Sequence, residues 1–261
     1  RRTFFQLSGA GLLSATVPDM HAIELYDKDE HIKDHLYLPY PHHSHDEIIT
    51  PTPLTKKPMA DIILNEQDLR TMKSLFARLK RVQRHVGYGN FNLLSFDRAL
   101  FLGRNYSRIG HFTKDELAFF EKLFYFQADD YGFYGDKVLT NLTDKISLKE
   151  TKKIPYTGHY LYNGDAQKMY SAMRRILGKN IILTSGVRSI VKQMYLFLNK
   201  CNKTKGNLSI ASRSLAPPGY SYHGIGDFDV GKTGYGYRNF TADFAKTDEY
   251  KRLMDLGYIK I

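Results

Sequence analysis

The chain has 261 residues, of which 42% are hydrophobic and 13% aromatic, so it can bury a real core and wholesale disorder is excluded. This length leaves room for one large domain or two small ones. The formal net charge of +11 favours anionic surroundings such as a cell envelope. The Lys and Arg residues are dispersed and match no recognition motif, so we expect no nucleic acid as a partner. The single cysteine, Cys201, excludes an intrachain disulfide.

A basic and then weakly apolar segment opens the chain. Residues 1–15 read RRTFFQLSGAGLLSA, and such paired arginines before an apolar stretch resemble a twin-arginine export signal. We therefore predict an export signal over residues 1–22 and a location in the periplasm or cell envelope, reached by the twin-arginine route. An amphipathic basic helix or a frayed terminus is the alternative. The stretch is too short and too polar for a stable membrane span, and no other run approaches that length.

Residues 23–64 lack hydrophobic periodicity and are rich in proline, which predicts a linker or surface arm. They contain the run HHSHD at positions 42–46, which is either a metal-binding tract or, more simply, an exposed polar linker. Residues 65–150 predict a helical extension. A helix capped by residues 65–68 runs to about His85, a second covers Phe96–Leu102, and a third follows a capping box formed by Thr113 and Glu116.

Residues 151–261 alternate short helical and strand patterns. Helices are predicted at about 165–177, 189–200 and 247–256, the last ended by Gly257, and an apolar strand at 180–184. Residues 231–237 are expected to form a loop rich in Gly and Tyr. His159, just before the first of these helices, is either a polar site residue or an ordinary structural histidine.

The stretch Ser214–Val230, which reads SLAPPGYSYHGIGDFDV, organises this part of the chain. Its proline pair and the following glycine require a turn, after which residues 220–223 are expected to run extended. Alternation at the end of the stretch places Asp227 and Asp229 on one face of a strand. An imidazole from His223 and a nearby carboxylate suit a divalent metal such as zinc. The alternative is a satisfied core histidine beside two turn carboxylates.

Two motifs in this region resemble those of the zinc D-alanyl-D-alanine carboxypeptidases of the vancomycin-resistance type (VanY-like), which share a fold group with the Hedgehog signalling domain. One comprises Ser221, His223 and Gly226 followed by an aspartate, similar to S-x-H-x-x-G-x-A-x-D. The other is TSGVRS at 184–189 with Gln193, similar to S-G-Y-R-S-x-x-x-Q. The likeness covers roughly residues 156–261.

The resemblance implies an α+β fold, with a small, mainly antiparallel sheet surrounded by helices and the helical N-terminal extension added to it. It also implies a zinc peptidase that removes the terminal D-Ala from peptidoglycan stem peptides. His223 and Asp229 would be zinc ligands. The spacing between them is one residue shorter than in the family, so Asp227 is the alternative ligand. The family's third ligand, a His, and its general-base Glu are expected beyond Ile261.

Three further roles follow from the resemblance. Arg188 would act in catalysis by holding charge on the scissile carbonyl oxygen, or would bind the substrate's terminal carboxylate. Ser221 would hydrogen-bond the substrate, and Gln193 would take part in substrate binding or orient the loop of Arg188. The rival interpretation is a non-catalytic envelope-binding or peptidoglycan-binding module that has lost its metal.

Overall fold

The computed structural model describes residues 60–256, and in addition a short backbone strand, β1, at Ser14–Ala15. The predicted export signal, most of the predicted arm, the histidine run at 42–46 and Gly257 lie outside the described side chains. Among residues 60–256 no helix combines the length and the apolar character that a membrane crossing requires.

The α-helices of the described residues are α1 (Glu66–Val86), α2 (Tyr88–Phe91), α3 (Phe96–Asn105), α4 (Lys114–Tyr125), α5 (Asp165–Leu177), α6 (Ile190–Lys203), α7 (Leu208–Ser212) and α8 (Asp248–Asp255). The other strands are β2 (Thr151–Lys153), β3 (Tyr160–Tyr162), β4 (Ile181–Ser185) and β5 (Phe228–Lys232). The helices predicted from capping and periodicity are therefore confirmed, with ends that differ by a few residues.

Two small antiparallel sheets accompany the helices. In the larger sheet the strand order is β1–β5–β4, and β5 pairs with β4 from Ile181 opposite Lys232 to Leu183 opposite Val230. A register shift between Leu183 and Ser185 changes the direction of the side chains at the end of β4. The smaller sheet pairs β2 with β3. The predicted α+β class with a small antiparallel sheet is thus confirmed.

The hydrophobic core falls into two clusters. The first cluster contains side chains from α1, α2, α3, α4, α6 and α7. It includes the fully buried side chains of Leu75, Phe124 and Phe197. The other surrounds the larger sheet with α5 and α8, and includes Phe228. Because α6 packs with the N-terminal helices, the two cores do not separate at residue 150. The division of the chain into four segments stays a prediction.

The predicted capping box of α4 is present and forms part of a buried polar network. The Thr113 hydroxyl accepts from the Glu116 backbone N–H at 3.1 Å, and the Glu116 carboxylate accepts from the Thr113 backbone N–H at 3.0 Å. The same carboxylate accepts from Arg78 Nε at 2.6 Å and from Ser74 Oγ at 2.7 Å. Burial alone would raise the pKa of Glu116, but the hydrogen bonds from Arg78, Ser74 and Thr113 outweigh it and lower that pKa. Because Ser74 and Arg78 belong to α1 and Glu116 belongs to α4, these hydrogen bonds link the two helices.

We expect the Glu116→Gln variant to lose about 2–4 kcal/mol of unfolding free energy, because it leaves the Arg78 guanidinium without its charged partner. The pKa of Glu116 is lowered in the folded state, so its contribution is present above its ordinary value of 4.5 and is lost as the pH falls below that value. Urea unfolding at several pH values should therefore show a weaker loss of stability in acid for the variant. Glu121→Gln, at an exposed position of α4, is the matched control, and an equal effect there would contradict the prediction.

Two local predictions are wrong. Residues 220–223 do not run extended, because Tyr222–Gly224 forms a 3-10 turn closed by a hydrogen bond from Gly224 N to Ser221 O of 3.0 Å. The expected loop at 231–237 begins later, since β5 continues through Gly231 to Lys232. The side chain of Asn239 bonds both the backbone N–H and the carbonyl of Lys232, which keeps this end of the strand in order.

Candidate functional site

The stretch from Pro217 to β5 is shaped by two turns. A hydrogen bond from Tyr220 N to Pro217 O of 3.1 Å closes the predicted proline turn, with Gly219 at φ +89°. The chain then passes through the 3-10 turn at Tyr222–Gly224 and enters β5. Phe228 and Val230 point into the core beside this sheet, so Asp229 between them points to the opposite face. That face also carries the His223 ring.

His223 and Asp229 form a buried pair. His223 Nε2 lies 3.2 Å from Asp229 Oδ2, and the two residues are 8% and 4% exposed. On the other side of the ring, Nδ1 lies 3.1 Å from the carbonyl oxygen of Gly186. Because a carbonyl only accepts, Nδ1 carries the hydrogen and Nε2 is the atom left to face Asp229. A second bond of this kind is how proteins fix a metal-binding histidine.

The separation of these two atoms can be compared with metal geometry. Ligands held about 2.0–2.1 Å from a tetrahedral zinc ion lie about 3.3 Å from each other. The distance of 3.2 Å between Nε2 and Oδ2 is close to that value. The imidazole nitrogen and the carboxylate oxygen are therefore of the right type and at the right spacing to share one zinc ion. Among residues 60–256, however, no group of three His, Cys, Asp or Glu side chains gathers as a metal site.

The second motif lies directly against the first. Gly186 supplies the carbonyl that holds His223, and the Arg188 backbone N–H donates to the His223 carbonyl at 3.1 Å. A side chain at position 186 would place its Cβ 2.1 Å from the Tyr160 carbonyl oxygen, so only glycine fits there. The Val187 N–H donates to that same Tyr160 carbonyl at 2.8 Å. The two motifs, 37 residues apart between Gly186 and His223, are thus joined through their backbones.

The Arg188 guanidinium is held by neutral groups. It donates to Gln193 Oε1 at 2.8 Å and to Ser185 Oγ at 2.8 Å. Burial lowers the pKa of Arg188, and the nearby charge of Asp229 opposes that shift. The Gln193 amide nitrogen donates to the Ala216 carbonyl, and Gln193 is only 2% exposed. Both ends of Gln193 are therefore engaged, which favours its role in orienting Arg188, while its direct contact with a substrate stays a prediction.

Ser221 and Asp227 lie on either side of the 3-10 turn. Both are buried, and neither side chain makes a hydrogen bond or ion pair with the described part of the chain. Burial, and then the charge of Asp229, raises the pKa of Asp227 to about 7. Asp227 immediately precedes β5, outside the ladder that fixes Asp229. The geometry pairs His223 with Asp229 and not with Asp227.

Three residues near the site had no firm role from the sequence. His159 lies next to Tyr160, whose carbonyl accepts from the Val187 N–H of the Arg188 loop, and Lys192 lies in the first turn of α6. Asn92 links them: its carbonyl accepts from Ser189 N at 2.8 Å and its side chain donates to Gly158 O at 3.1 Å. One signal was available for Lys192, because a lysine in the first turn of a helix opposes the helix dipole.

Comparison with known proteins supports the resemblance. Residues 161–258 match the family model of VanY, described as D-alanyl-D-alanine carboxypeptidase. No curated protein and no solved structure matches the chain. The matched segment contains both motifs, while the helices at 65–150 lie outside it.

Proposed function

Because residues 161–258 form a VanY-like domain, we propose that this protein is a zinc-dependent D-alanyl-D-alanine carboxypeptidase. It removes the terminal D-Ala from peptidoglycan stem peptides, and so belongs to cell-wall metabolism. The observation that carries the proposal is the buried pair of His223 Nε2 and Asp229 Oδ2, 3.2 Å apart, with the Arg188 guanidinium beside it. The matched family supports hydrolysis of peptidoglycan peptides, and the pair supports the metal.

His223 and Asp229 are the residues that would hold the zinc ion, with Gly186 fixing the ring of His223. A bound zinc ion would supply Lewis acidity towards water and the scissile carbonyl. Among residues 60–256 no third His, Cys, Asp or Glu side chain gathers with this pair, and we propose a His as the third ligand and a Glu as the general base, both from elsewhere in the full-length protein.

The surrounding residues take their roles from their contacts. Within residues 60–256 the Arg188 guanidinium donates only to the neutral side chains of Gln193 and Ser185, so its charge is available to a substrate oxygen that becomes negative during the reaction. The Ser221 hydroxyl, which has no partner in the described structure, can hydrogen-bond the peptide backbone of the substrate. Gln193 keeps Arg188 in place.

The second candidate is a non-catalytic module that binds peptidoglycan and has lost its metal. It is favoured by the lack of a third donor among residues 60–256. In this candidate the protein retains stem peptides without releasing D-Ala. The two candidates therefore differ in product formation.

The test uses the full-length protein and a stem pentapeptide that ends in D-Ala-D-Ala. We expect stoichiometric release of D-Ala, detected by mass spectrometry, loss of release after chelation, and recovery when zinc is added back. Peptide binding without release by the zinc-supplemented protein would favour the non-catalytic module. Cleavage that survives complete removal of metal would contradict the zinc assignment.

We also propose that the protein is exported to the periplasm or cell envelope by the twin-arginine route, from the residues RRTFFQ that open the chain. Replacing both arginines by lysine should retain the protein in the cytoplasmic fraction. Unchanged localisation of that variant would contradict this export route.

A further inference from the structure

Three basic side chains interact electrostatically with one another, and two of them also feel the charge of Asp229. They are His159, Arg188 and Lys192, and we call them the basic cluster. The Val187–Tyr160 and Ser189–Asn92 backbone hydrogen bonds, both of 2.8 Å, hold their segments together. Burial, and after it the neighbouring charges, lower the pKa values of two of these groups: Arg188 acts on Lys192, and both cations act on His159.

Lys192 has no anionic partner in the described part of the chain. Its Nζ lies over two aromatic rings instead, 5.7 Å from the centroid of Phe91 and 5.6 Å from that of Tyr195. No carboxylate of the described residues lies within ion-pair distance of it. Burial, and then the charge of Arg188, lowers the pKa of Lys192 to about 8. The lysine is still mostly protonated at neutral pH, so a partly buried positive charge stands here with two aromatic rings, but no carboxylate of residues 60–256, as its partner.

His159 adds a donor without adding charge. Burial, followed by the charges of Lys192 and Arg188, lowers the pKa of His159 to about 4. At neutral pH the ring is therefore uncharged and still carries one N–H donor. Asp229 is the negative charge that acts on His159 and Arg188, and the proposed function assigns it to zinc.

Two neighbouring cations without a carboxylate between them cost free energy unless an anion joins them. We propose that Lys192, with His159 beside it, forms a carboxylate-binding subsite next to Arg188, and that this subsite selects stem peptides by a carboxylate group. This inference rests on the proposed function. Its chemistry fits either the C-terminal carboxylate of the substrate or the side-chain carboxylate of an acidic residue in the peptide. With Lys192 in this role, Arg188 is left for the scissile carbonyl oxygen.

The subsite gives the helical extension a part in substrate selection. The ring of Phe91, which belongs to the extension, lies beneath Lys192. Its neighbour Asn92 joins the segment of His159 to that of Ser189 by two hydrogen bonds. Gly89 also approaches that segment closely, since a Cβ there would lie 3.2 Å from the Gly158 carbonyl oxygen. One wall of the site is therefore built by residues outside the matched domain.

The test measures binding, so it does not depend on turnover. Three peptide analogues that cannot be hydrolysed, with a ketomethylene group in place of the scissile amide, are titrated by calorimetry into the full-length protein. The first has a free C-terminal carboxylate, the second a C-terminal amide, and the third a C-terminal amide together with an acidic side chain. We expect the analogue with the free C-terminal carboxylate, or the one with the acidic side chain, to bind about 10- to 100-fold more tightly than the plain amide. This is the gain in affinity that one charge-assisted hydrogen bond provides.

In Lys192→Met this preference should disappear, while the amide analogue keeps its affinity and the bound metal is unchanged. Lys192→Arg should restore much of the preference, because it restores the charge. Lys200→Met, further along α6, is the matched control and should retain the preference. The inference is overturned if the wild-type protein binds all three analogues equally, or if Lys192→Met discriminates as the wild type does. Failure of D-Ala release with the preference intact would contradict the proposed function alone.

Discussion

Replacing His223 by alanine in the full-length protein is expected to remove the bound zinc. If the site is the proposed zinc site, the content should fall from about one zinc per chain to near zero, because the variant would keep only two of the three proposed protein ligands. D-Ala release should then fall at least about a thousandfold. Metal content is measured by mass spectrometry after gel filtration, and unfolding is followed in parallel to show that the variant folds. A variant that retains one zinc per chain would show that the ligand assignment is wrong.

Controls for this experiment lie within the chain. His111→Ala removes an exposed histidine from the loop before α4 and should change neither zinc content nor turnover. Asp229→Asn should lose zinc as His223→Ala does, because the geometry pairs those two residues. Asp227→Asn should keep it. The reverse result for the two aspartates would make Asp227 the ligand.

Much of the fold could be predicted because its signals are local. Asn65 accepts from Asp68 N at 2.8 Å at the start of α1, and the capping box starts α4, so both helices begin where their capping residues stand. The alternation of Asp227, Phe228, Asp229 and Val230 likewise indicated a strand whose apolar residues enter the core. These features depend on residues within a few positions of one another.

The errors arose where distant residues decide the local structure. The 3-10 turn at Tyr222–Gly224 is held by contacts with the extension, since the Tyr222 hydroxyl donates to Asp136 Oδ2 at 3.2 Å. A Cβ at Gly224 would lie 2.6 Å from a methyl group of Leu139, which shows how closely that segment covers the turn. The spacing of residues 220–223 carries no information about either contact. For this reason a pattern typical of extended chain folds as a turn here.

The candidate site, like the fold, could be predicted only where its signals are local. The motifs identified His223, Asp229 and Arg188, but the support of His223 by Gly186 crosses 37 residues and depends on how β4 and β5 pair. The basic cluster depends on Asn92, which belongs to the extension. Motif spacing can identify which side chains carry chemistry, whereas the groups that orient them come from the tertiary packing.

Replacing Arg188 by alanine is expected to lower turnover about 100- to 1000-fold, which is the usual effect of removing a donor to a developing negative charge. Zinc content should stay unchanged, because within residues 60–256 the hydrogen bond between Arg188 and the pair comes from the backbone N–H of Arg188 to the His223 carbonyl, and alanine keeps that bond. The loss should fall mainly on kcat and only weakly on KM if the guanidinium acts on the scissile carbonyl oxygen. If it binds the terminal carboxylate instead, KM should rise while kcat changes little.

Three measurements separate this effect from a structural one. The variant leaves Gln193 Oε1 and Ser185 Oγ without a donor, so a stability loss of about 1–3 kcal/mol is expected and is measured by urea unfolding. Arg188→Lys restores the charge but not the two fixed donor directions, so it should recover the stability better than the turnover. Arg70→Ala, at an exposed position of α1, should change neither quantity. Equal turnover in Arg188→Ala and the wild type would exclude Arg188 from the catalytic site, and the carbonyl oxygen would then need a donor from another residue.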